Sequence, residues 1–326
     1  MSSDLPEFSP ASPLWERDDT GLDVYVRDPG PAPREWIISG ILLAVTFLST
    51  SFAGLFYIED DVGFFEAFIA VLRNPGLLLY GLPFSVPLIA ILLAHELGHY
   101  AVCRHYGMRC TPPFFLPAPI SIVGTLGAFI KIKSAFRSKH ALFDIGIAGP
   151  LAGFVFAIPA LWIGISLSDL IPRAAPGQGG VSFGEPILFR LIGILTLGYN
   201  PGRQDMIAHP IAMAGWVGLL ATSLNLLPIW QLDGGHIAYA ILGPAHQKKL
   251  SKIAVVALIL LSLFGWPIPS YFLFGVLLLL IGARTHFYHP ATLNDEVALG
   301  RGRLFLGAIA LLILILSFTP VPISIT

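Results

Sequence analysis

An H-E-x-x-H motif at residues 95–99 lies inside an almost unbroken apolar run, 85–102. On a helix, residues four positions apart share one face, and their Cβ atoms are about 5–6 Å apart. His95 and His99 can therefore bind one Zn²⁺ ion, while Glu96 lies beside them and can accept a proton from an attacking water. Ionisable side chains in such an apolar segment are costly and usually functional. The motif indicates metal-dependent hydrolysis within a membrane.

A catalytic zinc site keeps three protein ligands and one open position, so a third ligand is needed. The later apolar segment 210–242 contains one carboxylate, Asp233. Pro228 and the pair Gly234-Gly235 predict a break in that helix. A broken helix at membrane depth is tolerated where it lines protein or a water-filled cavity, and a hydrolase needs such a cavity. Asp233 is therefore the candidate third ligand of a single zinc ion per chain.

The composition is that of an integral membrane protein. The chain has 326 residues, of which 55% are hydrophobic and 12% charged, whereas soluble domains contain about 25% charged residues. The net charge of −1 gives no indication of nucleic-acid binding. Cys103 and Cys110 are interpreted as unpaired thiols. The first 35 residues, with eight acidic and three basic side chains, resemble neither a secretory signal nor a transit peptide.

Hydropathy predicts an all-α polytopic membrane protein with about six or seven transmembrane helices. The predicted spans are 36–57, 84–106, 142–168, 210–242, 253–283 and 304–320. The 31-residue segment 253–283 contains prolines near its middle, which favours two short passes over one. If the N-terminus is cytoplasmic, 15 of the 19 Lys and Arg residues fall in cytoplasmic segments. This distribution follows the positive-inside rule and places the H-E-x-x-H motif toward the cytoplasmic end of its span.

Together, the H-E-x-x-H motif and the later N-x-x-P-x-x-x-x-D-G motif at 225–234 resemble those of the site-2 protease family of intramembrane zinc metalloproteases. The resemblance implies that His95, His99 and Asp233 bind zinc and that Glu96 is the general base. It also implies that Asn225 helps to hold the substrate or the developing oxyanion.

The resemblance also implies a domain organisation. A three-helix catalytic core occupies 84–242, with spans 84–106, 142–168 and 210–242. It is flanked by a cytoplasmic tail at 1–35, an accessory helix at 36–57 and C-terminal accessory helices at 253–320.

Smaller features resemble one branch of the family, the yellow-green-mutant type of cyanobacteria, other bacteria and chloroplasts. These features are 124–128, 183–186 and 209–216. Many bacterial relatives carry a PDZ domain between the third and fourth spans. Here segment 169–208 has 40 residues, too few for such a domain.

Residues 129–133 alternate apolar and basic side chains, which predicts a half-buried strand; the alternative is a loop near lipid headgroups. The family resemblance implies a re-entrant β-hairpin whose edge pairs with unwound substrate. Phe129, Ile130, Lys131 and Ile132 are therefore candidate substrate-binding residues, together with Asn225.

Several other residues have weaker interpretations. Gly149 and Gly153 form a G-x-x-x-G motif that predicts close helix packing. His236 is a candidate neighbour of the site. Glu185 is either a solvated loop residue or part of an outer gate. The remaining histidines are interpreted as interface or packing residues: His105, His140, His209, His246, His286 and His289.

The sequence favours an intramembrane zinc metalloprotease. The alternatives are a divalent-metal transporter, which would favour an internal repeat that is not found, and a non-catalytic scaffold that binds membrane helices. The resemblance implies single-span membrane proteins as substrates, such as anti-sigma factors, and a bacterial inner membrane as the location.

Overall fold

The computed structural model describes residues 15–17, 23–25, 30–58, 63–173, 180–265, 270–287, 289–296 and 298–325. These residues are mostly helical. The helices are α1 Pro33–Gly54, α2 Phe64–Arg73, α3 Leu82–His105, α4 Lys139–Ser166, α5 Ile187–Leu197, α6 Pro210–Leu226, α7 Asp233–Leu242, α8 Pro244–Ser262, α9 Phe272–Arg284 and α10 Arg301–Ser317.

The described strands form four antiparallel pairs: β1 Trp15–Arg17 with β2 Asp23–Tyr25, β3 Phe114–Pro117 with β4 Thr125–Phe129, β5 Asp169–Pro172 with β7 Gln204–Ile207, and β6 Val181–Phe183 with β8 Ile323–Ile325. Every one of these strands lies in a segment before, between or after the helices. The helices therefore provide the framework of the fold.

Three helical stretches in the described residues are long and apolar enough to cross a membrane: Pro33–Tyr57, Pro75–His105 and Lys139–Ser166. They overlap the first three predicted spans, and the apolar helices α6 and α9 are shorter. Segment 253–283 falls on two helices, α8 and α9, and the prolines at 267 and 269 lie outside the described residues. These helices agree with the predicted membrane character, while the number of passes stays a prediction.

The predicted break in segment 210–242 separates α6 from α7. Close backbone approaches explain why two glycines follow Asp233. A Cβ atom at Gly234 would lie 2.0 Å from the carbonyl oxygen of Leu226, and one at Gly235 would lie 2.2 Å from that of Trp230. Larger residues cannot fit against this backbone, so the glycines allow α7 to begin at Asp233.

Helices α3, α4 and α6 pack around an apolar core that includes the fully buried residues Leu88, Leu161 and Leu219. Burying apolar side chains between helices fixes their relative positions by close packing. The H-E-x-x-H motif lies on α3 and Asp233 begins α7, which also packs on α4. Helix α4 is therefore the common support of both motifs.

Strand β4 begins and ends earlier in the chain than the strand predicted from the alternation at 129–133. Of residues 129–133, only Phe129 lies in β4, where it pairs with Phe114. Pro112 and Pro113 come next on the opposite side and have no N–H, so the backbone ladder cannot continue regularly. The N–H of Lys131 instead donates to the Thr111 hydroxyl at 2.9 Å, and Ile132 forms a single bridge with Cys110.

Candidate metal centre and active site

Three potential metal ligands converge between α3 and α7. The Nε2 atoms of His95 and His99 are 3.1 Å apart, and Asp233 Oδ2 lies 3.2 Å from each. Two ligands of a tetrahedral zinc ion, each at about 2.0–2.1 Å, lie about 3.3 Å apart. The three atoms therefore match one face of a zinc coordination tetrahedron. Two imidazoles and a carboxylate are also a typical zinc donor set.

The orientation of His99 is fixed by α4. Its Nδ1 lies 2.7 Å from the carbonyl oxygen of Ile145. A carbonyl oxygen can only accept, so Nδ1 carries the proton and Nε2 keeps its lone pair for a metal. Such a hydrogen bond on the far side of a histidine ligand sets its tautomer and ring angle.

Glycines on α4 make room for the imidazoles. A Cβ atom at Gly149 would lie 2.1 Å from His99 Nε2, and one at Gly153 would lie 3.2 Å from the Cβ and Nδ1 atoms of His95. Gly98 on α3 faces the carbonyl oxygen of Ala148, which an added Cβ would approach to 2.5 Å. The G-x-x-x-G motif, interpreted from sequence as helix packing, therefore also accommodates the metal ligands.

Glu96 and Asn225 lie in the same cavity as the three ligands. Glu96 is buried, and the backbone N–H of Ile130 donates a hydrogen bond to its carboxylate. The side-chain amide nitrogen of Asn225 lies 3.2 Å from His95 Nε2. The structure thus brings together the five candidate site residues of the two sequence motifs: His95, Glu96, His99, Asn225 and Asp233.

The cavity extends along the hairpin. Its lining comprises His95, Glu96, His99, Ala128, Phe129, Ile130, Ile132, Ile145, Asn225, Gln231, Leu232, Asp233 and His236. Three of the four hairpin residues proposed from sequence as substrate contacts are among these. Lys131 is exposed and lies outside this lining, as the alternation of the backbone at 130–132 requires.

One histidine was misjudged from sequence. His289, interpreted as an interface residue, is 4% exposed. Its Nε2 lies 2.7 Å from Nδ1 of His236, which lines the cavity as a candidate neighbour of the site. No local pattern around His289 indicates this contact, because it joins residues 53 positions apart in the chain.

Away from the cavity, Glu185 accepts hydrogen bonds from Tyr199 Oη and Arg190 Nε. The desolvation of Tyr199 and its bond to Glu185 raise the pKa of that phenol. His209 precedes α6, and its Nδ1 accepts from the N–H of Ile211 at 3.2 Å. Glu185 is therefore a partly buried, hydrogen-bonded loop residue, and its role in an outer gate stays a prediction. His209 is the N-cap of α6.

Comparison with known proteins agrees with this geometry. Residues 83–265 match the sequence profile of Peptidase family M50. The probable chloroplastic zinc metalloprotease EGY1 of Arabidopsis thaliana is 31% identical over 311 residues, which are 91% of this chain and 55% of that protein. The Arabidopsis relative EGY2 is 28% identical over 291 residues, 88% of this chain and 50% of that protein.

The chain thus spans about half the length of these curated relatives. Both relatives are described as probable zinc metalloproteases, which fits the converging ligand set. The resemblance to the yellow-green-mutant branch, predicted from short motifs, is confirmed.

Proposed function

The chain belongs to peptidase family M50, and from this premise we propose that it is a membrane-embedded zinc endopeptidase that cleaves peptide bonds in the transmembrane segments of other proteins. One observation carries the proposal. Three ligand atoms lie within 3.2 Å of one another, beside a buried glutamate, in a cavity of an apolar helical protein. The same constellation on a soluble protein would act on accessible peptides; here its surroundings select membrane segments.

In the proposed mechanism, His95, His99 and Asp233 would hold a zinc ion, which as a Lewis acid would polarise the scissile carbonyl and lower the pKa of water. Glu96 accepts a proton from the attacking water as the new C–O bond forms. It then gives that proton to the amine nitrogen as the C–N bond breaks. The Ile130 N–H holds the Glu96 carboxylate in place.

Asn225 is suited to a different part of the reaction. Its amide lies beside His95 at the edge of the ligand set. An amide N–H aimed at the oxygen on which negative charge develops stabilises the transition state more than the ground state. We assign Asn225 this role in addition to holding the substrate.

We assign substrate capture to the hairpin β3–β4 and residues 130–133 that follow it, and we propose that this hairpin is re-entrant. The carbonyl of Lys131 accepts from Thr111 N at 3.0 Å, and the N–H of Lys133 donates to Arg109 O at 2.8 Å. In an antiparallel pair, backbone groups of alternate residues point to opposite sides. The N–H and C=O of Ile132 therefore point away from segment 109–111, and an unwound substrate can pair with these two groups as an added strand.

The proposed topology rests on charge and hydropathy, and the proposed bacterial location rests on the family resemblance. We propose six or seven passes in a bacterial inner membrane, with the N-terminus, the loop 104–140 and the active-site end on the cytoplasmic side. Segments 1–35, 36–57, 84–242 and 253–320 are proposed as tail, accessory helix, catalytic core and accessory helices. The proposed substrates are single-span proteins, such as anti-sigma-factor-like proteins, processed in regulated intramembrane proteolysis.

Comparative membrane proteomics tests this function in cells. A strain carrying Glu96→Gln should accumulate a single-span protein that the wild type cleaves, because the variant retains the ligand set and lacks the proton acceptor. The matched control is Glu66→Gln, the same chemical change at an exposed residue of α2 outside the cavity lining, which should leave the proteome as in the wild type. An identical set of membrane fragments in wild type and Glu96→Gln would contradict the proposed activity.

A further inference from the structure

A pair of histidines connects the cavity to the segment between α9 and α10. His236 lies on α7, three residues after Asp233, and its ring lines the cavity. His289 comes from the segment between α9 and α10, and its Nε2 lies 2.7 Å from His236 Nδ1. Its other nitrogen, Nδ1, lies 2.8 Å from the carbonyl oxygen of Pro290. The mechanism described above uses neither ring.

The two hydrogen bonds determine where the protons lie. The carbonyl of Pro290 can only accept, so Nδ1 of His289 must donate. A neutral His289 then has a lone pair on Nε2, and His236 must donate to it from Nδ1. A neutral His236 consequently has a lone pair on Nε2. Because the described residues provide that atom with no hydrogen-bond partner, its lone pair is available within the cavity.

His289 is held firmly enough to impose this arrangement. Its ring packs on Tyr239, with centroids 4.6 Å apart, and Tyr239 Oη donates to Asp295 at 2.7 Å. The N–H of Leu293 donates to the carbonyl of Phe136 at 2.9 Å, which ties the same segment to the core. Burial lowers the pKa of His289 despite the nearby Asp295 carboxylate, and this keeps the ring neutral near pH 7.

We propose that His289 is a positioning residue that locks His236 in the tautomer with a protonated Nδ1, so that His236 Nε2 accepts a hydrogen bond from a donor in the active-site cavity. The donor is an O–H of water or an N–H of the bound peptide. The identity of the donor rests on the proposed function, whereas the tautomer does not. A water molecule that gives one proton to Glu96 still has a second O–H to orient, and a neutral imidazole nitrogen is a good acceptor for it.

Nitrogen-15 NMR of histidine-labelled protein reads the tautomer directly. We expect a protonated Nδ1 and an unprotonated Nε2 on His236, with the signals assigned by their loss in His236→Gln. His289→Gln places an amide oxygen near the former Nε2 and should retain this pattern. His289→Phe keeps a ring on Tyr239 but offers no acceptor, so the pattern should be lost. A protonated Nε2 on His236 in the wild type would overturn the inference.

Kinetics with a membrane substrate give the second readout. His289→Phe should reduce kcat/KM about tenfold, the effect of one well-placed hydrogen bond, while His289→Gln should restore most of it and zinc content should not change. A fall in kcat identifies water as the donor, and a rise in KM identifies the peptide N–H.

The matched control is His140→Phe. His140 also tethers this part of the chain, through Nε2 and the carbonyl of Ala298 at 3.1 Å, but it lies outside the cavity lining. Equal losses in His140→Phe and His289→Phe would show a tether only and contradict the inference. Because the NMR reading needs no cleavage, an inactive wild type with the expected tautomer would refute only the proposed protease function.

Discussion

Replacing Gly149 with alanine should weaken zinc binding, although the change adds only one methyl group at a position remote from the H-E-x-x-H motif in sequence. The new carbon would lie 2.1 Å from His99 Nε2 and 2.5 Å from each adjacent ring carbon. Ordinary van der Waals contact begins near 3.4 Å, so the ring and the new carbon must separate by about 1.3 Å.

The ring has little freedom to make this movement. His99 Nδ1 is bonded to the carbonyl of Ile145 at 2.7 Å, and metal–ligand distances tolerate only about 0.2 Å. We therefore expect zinc affinity to fall about 10- to 100-fold. Overpacking costs about 1–3 kcal/mol, and the higher helix propensity of alanine offsets about 1 kcal/mol. The variant should still fold.

Gly153→Ala is the matched control on the same helix. Its new carbon would lie 3.2 Å from His95, which requires a shift of only about 0.2 Å. Zinc per chain would be measured by mass spectrometry after dialysis against graded chelator concentrations, with thermal unfolding in parallel. Gly149→Ala should release its zinc at a chelator concentration about 10- to 100-fold lower than Gly153→Ala does. Equal zinc affinities in the two variants would refute the role assigned to Gly149.

Three further predictions concern capture, topology and helix packing. Ile132→Pro removes the N–H that points away from segment 109–111, so it should abolish cleavage of a membrane substrate but not of an unstructured peptide. Ile132→Ala keeps this N–H and should have a milder effect. Unchanged cleavage in both variants would argue against an edge strand. A cysteine engineered at position 135 should not react with an impermeant thiol reagent added outside intact cells, whereas cysteines engineered in 180–206 should react. The opposite pattern of labelling would contradict the proposed topology. Arg303→Gln should lower the free energy of unfolding by about 1 kcal/mol. Arg303 donates hydrogen bonds to both carboxylate oxygens of Asp144 at 2.8 and 2.7 Å, but the ion pair is partly exposed and its contribution is therefore small. An unfolding midpoint that does not change within error would show that this ion pair does not stabilise the position of α10.

The parts of the site that were predictable are those encoded locally. The spacing of His95 and His99 fixes a shared helix face, and Pro228 with two glycines marks the break before Asp233. The strand was misplaced because alternation over five residues does not reveal that Pro112 and Pro113 lie opposite. Such pairings depend on contacts across the fold.

Two further features could not be read from sequence because they depend on distances between helices. Gly149 looks like any small residue in a membrane helix until His99 is found against it. His289 is interpreted from sequence as an interface residue because it lies in a predicted cytoplasmic segment with basic residues, yet its Nε2 lies 2.7 Å from His236 Nδ1. In both cases the function of the residue is defined by a partner that is distant in the chain.

We propose that one zinc ion and Glu96 together cleave a membrane-embedded peptide bond. The most direct test measures zinc content and cleavage of a single-span substrate in the same proteoliposomes, for wild type, Glu96→Gln and Asp233→Ala. This mechanism requires about one zinc per chain with cleavage in the wild type, zinc without cleavage in Glu96→Gln, and neither in Asp233→Ala. Cleavage by Glu96→Gln, or full zinc occupancy in Asp233→Ala, would contradict it.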